Sequence, residues 1–198
     1  MNEIVDVVPA TVESVFIFTR SGYVKKMNIE GNDDFREIRP SGIKYIDLKG
    51  DDSRVVSVVP ARGNQPLIAV SEDGKGICFS PEELRSMSRS ARGVIAKKGE
   101  PLAGATQAGD DQFLLLQGKS TCGAIRTGNL DQQNRGGKGR YLIKATGQDQ
   151  IHTVRITNEP RAVSGDTLRE FTSRSKLGGH GARQNIDHFF TEENWTSE

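Results

Sequence analysis

Cysteine is nearly absent from this sequence. Cys78 and Cys122 stand far apart, each inside an apolar, strand-like run. That argues against a disulfide-stapled fold and for buried thiols in a reducing compartment. No apolar run approaches the length that spans a bilayer, so no membrane partner is expected. The first ten residues hold Glu3 and Asp6 and lack a basic start, which argues against a signal peptide. The expectation is a soluble, cytoplasmic chain. Histidine is scarce too: His152, His180 and His188 have no cysteine or carboxylate partners at metal-ligand spacing. No G-x-S-x-G elbow is present. No metal, cofactor or catalytic residue is therefore expected. Helical periodicity is missing as well, the best candidate being the short run Pro81-Glu82-Glu83-Leu84. Aromatics make up only 6% of the 198 residues, and the lone tryptophan, Trp195, sits in an acidic C-terminal stretch.

Net charge is low, at +1, so the chain as a whole does not advertise a polyanion partner. Its distribution is uneven. Residues 85–144 carry eleven Lys and Arg against four Asp and Glu, a balance of +7 that leaves −6 for the remainder. A basic middle between acidic flanks points to a polyanion. Glycine is plentiful, with 22 residues spread along the chain, and implies many turns rather than disorder.

Those glycines fall in a repeat. Val15-Phe16-Ile17-Phe18-Thr19, a turn at Gly22, and the run from Tyr23 to Ile29 read as a β-hairpin. Strand-like segments follow at 43–48 and 55–59. The pattern recurs with Leu67-Ile68-Ala69-Val70, a turn at Gly74 and Gly76-Ile77-Cys78-Phe79, and again from Phe113-Leu114-Leu115-Leu116. A fourth, degraded copy starts near Ala162. The turn glycines Gly22, Gly74, Gly118 and Gly165 are spaced by 52, 44 and 47 residues. The later glycines Gly42, Gly93, Gly139 and Gly181 are spaced by 51, 46 and 42. Short strands at such a period are the signature of propeller-like blades, which bury both faces only when stacked. The expected fold is all-β, with about four blades of four-stranded antiparallel sheet. The expected repeats are 14–64, 65–111, 112–160 and 161–186, after a lead-in at 1–13 and before a mobile tail at 187–198.

One stretch concentrates the chemistry: Gln133, Asn134, Arg135, Gly136, Gly137, Lys138 and Gly139, followed by Arg140. Glycines allow close approach to the main chain, while Arg and Lys supply charge. A phosphate backbone suits such a loop; the plain alternative is a basic surface turn. Gly118-Lys119-Ser120-Thr121 imitates the end of a phosphate-binding P-loop. It fails the pattern, because Phe113 stands where the first glycine is needed and a strand-like run follows.

These repeats resemble those in the C-terminal domain of the A subunit of DNA gyrase and of topoisomerase IV. Residues 19–27 (TRSGYVKKM) are similar to that family's glycine-turn hairpin, and residues 87–98 (MSRSARGVIAKK) to its second-half motif. Residues 133–139 (QNRGGKG) resemble the gyrase box, usually QRRGGKG, with Asn134 in place of an arginine. The resemblance covers roughly 14–186. It implies a β-pinwheel: a propeller-like disc or spiral that wraps duplex DNA around a basic rim, with the box as anchor and no catalysis of its own. The implied partners are duplex DNA, the catalytic part of a topoisomerase A subunit, and its ATPase B subunit.

The residues expected to contact DNA are the box, Gln133 to Gly139, with Arg140. Arg89, Arg92, Lys97 and Lys98 occupy related positions in the second unit, and Lys25, Lys26 and Lys44 in the first. Phosphate contacts carry no base code, so sequence preference is not expected. The alternative function is a protein-binding β-propeller scaffold, favoured by an aromatic and Arg patch at its centre.

Overall fold

The computed structural model describes residues 5–9, 11–30, 43–48, 54–118, 122–145, 149–158, 161–164 and 167–170. The fourth-unit glycines 178–181, His180, His188, Trp195 and the stretch 187–198 lie outside them.

Among the described residues every regular element is a strand or a single 3-10 turn. The first hairpin, β1 (Ser14–Thr19) and β2 (Tyr23–Asn28), is joined by β3 (Val55–Pro60), which pairs with the free edge of β1. The second unit repeats this with β4 (Leu67–Ser71), β5 (Lys75–Phe79) and, after β6 (Val94–Ile95), β7 (Leu102–Gln107). The third has β8 (Phe113–Gln117), β9 (Cys122–Arg126) and, after β10 (Arg140–Tyr141), β11 (Thr153–Thr157). A fourth hairpin pairs β12 (Arg161–Ser164) with β13 (Thr167–Glu170). The 3-10 turns are Pro81–Glu83, inside the short run that was the best helical candidate, and Thr127–Asn129.

The all-β expectation holds, and the structure adds how a four-stranded sheet is completed. The strand orders are β3-β1-β2-β6 and β7-β4-β5-β10. The fourth strand of each sheet therefore comes from the following unit. Ala96 and Lys97 donate main-chain N–H to Gly22 O, and Leu142 and Ile143 do the same to Gly74 O. This exchange ties the blades by main-chain hydrogen bonds as well as by packing. The segment 43–48, expected as a strand, is irregular. Its counterparts β6 and β10 pair with the preceding hairpin, and among the described residues no hairpin precedes β1. It packs instead on the open face of the first sheet, where Ile46 is buried with Val15, Ile17, Met27 and Ile29.

Two apolar layers lie between blades. Phe16, Phe18 and Val24 of the first unit meet Leu67, Ala69, Ile77 and Phe79 of the second. Ile68, Val70 and Cys78 meet Leu114, Leu116 and Ile125 of the third. Burying each Val, Leu, Ile or Phe of these layers contributes about 1.5–3 kcal/mol, so stacking is what stabilises these small sheets. Cys78 is buried, and desolvation pushes its thiol up to about 11. The strands β3, β7 and β11 pack on one another and form the inner edge. β6 and β10 are thereby the outer edge. A hollow of about 790 Å³ lies along the inner strands, lined by Val56, Val58, Ala103, Val154 and Arg155 among others.

Candidate nucleic-acid interface

The loops 87–93 and 133–139 both lead into an outer strand, and the backbone places them in one frame. Met87 N donates to Lys26 O, and Gln133 N donates to Cys78 O. Short parallel bridges join Lys26 to Ser86 and Cys78 to Gln132. Lys26 and Cys78 face Phe16 and Ile68 at the same place in their hairpins. Met87 thus corresponds to Gln133, Arg89 to Arg135, Arg92 to Lys138 and Gly93 to Gly139. The second-unit motif is a box-like loop one blade earlier.

Both loops end on a glycine for a steric reason. Gly93 has φ +101° and Gly139 φ +71°, in the left-handed region. A Cβ on Gly93 would strike Val24 O, and one on Gly139 would strike Gly76 O. The last glycine of the box therefore serves docking onto the hairpin before it. Gly136, at φ +81°, would bring a Cβ only into ordinary contact, with Ile95 O at 3.8 Å.

The box loop rests on the strand that leaves the second loop. Gly136 N donates to Ala96 O at 2.6 Å, and Lys98 N to Gly137 O at 2.9 Å. The Arg135 guanidinium donates to Ile95 O at 3.1 Å, while its main-chain N–H is taken by the Glu83 carboxylate at 3.0 Å. The adjacent outer-edge loops are thus linked through residues 95–98.

Exposure sorts the expected contacts. Lys138, Asn134, Arg89 and Lys98 are exposed; Gln133, Arg135 and Arg140 are half-buried. Arg140 pairs with Asp131 at 2.7 Å. Arg92 is half-buried and stacks over the Tyr23 ring at 3.9 Å. Lys26 is half-buried near Phe16. Lys44 is exposed and paired with Asp47 at 2.7 Å, well away in sequence from either loop.

Two lysines do not lie on the surface. Lys25 is 0% exposed, and its ammonium donates to Tyr45 O and Arg89 O at 2.5 and 2.8 Å. Lys97 is 3% exposed, packs its stem by Gly139, and donates to Lys98 O. Desolvation lowers the pKa of both ammonium groups. They order main chain and do not present charge to a ligand. In the sequence they sit in lysine pairs, Lys25-Lys26 and Lys97-Lys98; strand alternation in β2 turns Lys25 inward, while Lys97, beyond the end of β6, is covered by the box at Gly139.

Two neighbours of the box escape a reading by motif. Lys75 stands opposite Tyr141 in the β5–β10 pair, 4.6 Å from its ring. Its ammonium pairs with Asp73 at 2.7 Å, and that bond raises its pKa. Tyr141 is 47% exposed. Glu83 is the other. Only the strand register, which puts the turn after β5 beside the box, could reveal them.

Comparison with known proteins agrees with this fold. A family model described as the DNA gyrase C-terminal domain, beta-propeller, matches residues 13–62 and 65–103. The DNA gyrase A protein of Haloquadratum walsbyi is 32% identical over 151 residues, 71% of this chain and 17% of the relative. Its counterpart in Helicobacter pylori is 34% identical over 142 residues, 67% and 16%. The chain is related to the C-terminal β-pinwheel domain of the gyrase and topoisomerase IV A subunits. It spans about one sixth of these gyrase relatives' length. Among solved structures, the C-terminal domain of DNA topoisomerase IV superposes with a TM-score of 0.66 at 18% identity, covering 78% of this chain and 50% of that one. The DNA gyrase A C-terminal domain gives 0.66 at 18%, covering 77% and 52%. Both establish the fold. The family model covers the first two units, so the box in the third stands on its own residues and on its backbone match to the second loop.

No helix among the described residues is long and apolar enough to cross a membrane.

Proposed function

We propose that this chain binds duplex DNA along its outer rim without sequence preference and bends or wraps it. It does so as an accessory, non-catalytic domain working in the cytoplasm with the catalytic part of a topoisomerase A subunit, together with its ATPase B subunit. The observation that carries this reading is the pair of loops held in one frame on consecutive outer edges. They present Arg89 and Arg92 on one, and Arg135, Lys138 and Arg140 on the next. A repeated convex edge with cations at each step suits a repeating phosphate backbone. Phosphate contacts carry no base code, which suits non-specific binding. Bending a site of a few tens of base pairs costs about 1–6 kcal/mol, which many such contacts offset. Relatedness to gyrase and topoisomerase IV A subunits supports the same reading.

The test is ligation of nicked plasmid with increasing protein. A change in linking number supports chiral wrapping and gives its sign. Unchanged topology with DNA bound leaves bending, to be read as a shortened end-to-end distance in a doubly labelled duplex. If duplex neither changes topology nor shortens, the proposal fails. The second reading, a protein-binding scaffold, would use the hollow along β3, β7 and β11, where Arg62 and Arg155 are joined by no Phe, Tyr or Trp among the lining residues. That reading predicts partner binding that is indifferent to Arg135 and Lys138.

A further inference from the structure

We infer that Lys25 is a positioning residue for the loop 87–93, holding from inside the fold the frame on which Arg89 and Arg92 meet phosphate. The inference rests on the DNA-binding reading and names what shapes its second contact loop.

One position in each hairpin lies beneath the loop of the following unit. The ladders align Lys25, which faces Ile17, with Ile77, which faces Ala69. Under the box, the Ile77 Cδ1 sits 3.4 Å from where a Cβ on Gly137 would be. An apolar side chain suffices there, because the loop carries its own shape. Gly136 takes a left-handed conformation and delivers its N–H to Ala96 O. The second loop has Ser90 and Ala91 in place of Gly136 and Gly137, and no described non-glycine residue adopts positive φ. It cannot follow the box through its middle. It closes on itself through Ala91 N donating to Ser88 O, and this turn leaves Arg89 O pointing inward. Lys25 meets that carbonyl at 2.8 Å while also holding Tyr45 O.

The ammonium thus replaces what the glycines do in the box. Burying a charge is costly unless its hydrogen bonds are made, and the bonds it makes join β2, the covering segment 43–48 and the loop. The result pins the loop at three places: Met87 N on Lys26 O, Arg89 O on Lys25, and Gly93 against Val24 O. Cations on a preordered loop lose less freedom on meeting a ligand.

The test uses the full chain with Lys25→Ile, the residue the second hairpin carries at this position, and Lys25→Met as a second, unbranched variant. Amide hydrogen exchange is read without DNA. Exchange at 88–92 should rise at least about tenfold, with 134–138 within about twofold. Unchanged exchange at 88–92, or an equal rise in both loops, overturns the inference. DNA binding is then read against salt, alone and in an Arg89→Ala/Arg92→Ala background. Lys25→Ile should flatten the log–log salt slope by about 1.8, the share of two phosphate contacts, and have no further effect in that background. Equal weakening in both backgrounds means general loosening and overturns it too. If Arg135→Ala/Lys138→Ala leaves binding untouched, the DNA-binding reading falls by itself, and the exchange measurement still decides the role of Lys25.

Discussion

The loops 87–93 and 133–139 start and finish alike and differ in between. Both begin on a main-chain carbonyl of the hairpin before them, Lys26 O or Cys78 O, and both finish on a left-handed glycine with no room for a side chain. Between those ends both loops make a turn, at 135–136 and at 89–90; the box uses the left-handed Gly136 to reach the neighbouring strand, while the other loop rests on a buried lysine. The frame is a property of the repeat; the filling belongs to each blade. A motif defined by its glycines therefore finds one of these loops more readily than the other, although both place cations on the outer edge.

The largest effects should come from the shared ends. Gly93→Ala and Gly139→Ala each meet a left-handed φ and a carbonyl collision, and each should destabilise by more than about 2 kcal/mol in chemical denaturation. Gly136→Ala has the φ cost without the collision and should lose only about 1–2 kcal/mol. Equal losses at Gly136 and Gly139 would remove the steric distinction between docking glycine and loop glycine.

Next come the cations. Arg89→Ala and Lys138→Ala, one from each loop, should each flatten the salt slope of duplex binding by about 0.9. If only Lys138→Ala does so, the second loop shares the frame of the box without sharing its contact. A smaller, local effect is expected at Glu83. Glu83→Gln weakens the acceptor on Arg135 N, and that amide should exchange several-fold faster, at a cost of about 1 kcal/mol. Loop 87–93 should not respond.

The smallest effect is in pH. Burial holds Lys25 and Lys97 below the usual lysine value of 10.5. Between those lowered values and 10.5 the unfolded chain binds more protons than the folded one, so their contribution to stability rises with pH there. It is fully present above 10.5 and lost as pH falls through the folded values. Denaturation of the wild type at pH 8 and pH 10.5, against Lys25→Ile and Lys97→Met, should show each variant losing part of that gain. A gain unchanged in both variants contradicts burial of the two ammonium groups.

Much of the fold was legible because hairpins announce themselves locally. Gly22 and Gly74 sit between alternating β-branched runs, and both turns are where the spacing puts them. The exchange of outer strands was not legible. β6 and β10 are two residues long, and nothing within such a pair says which hairpin it joins. The irregular course of 43–48 follows from the same rule, since strand character there depends on a partner outside the segment. At the candidate site, Arg135, Lys138 and Arg89 could be picked from composition and spacing. Lys25 and Lys97 could not be separated from Lys26 and Lys98 by charge, because inward and outward are set by strand phase in β2 and, after β6, by the loop of the next unit that covers the chain. The arrangement of repeats at 14–64, 65–111, 112–160 and 161–186, and the DNA contacts themselves, stand as proposals.

The central claim is that the outer edge carrying 133–139 holds duplex DNA by its phosphates. Its most direct test is the affinity for a linear duplex across a salt series, for wild type and for Arg135→Ala/Lys138→Ala. The account predicts a steep fall with salt in the wild type, and a slope shallower by about 1.8 with weaker binding in the variant. Binding that ignores salt, or a variant indistinguishable from wild type, would contradict it.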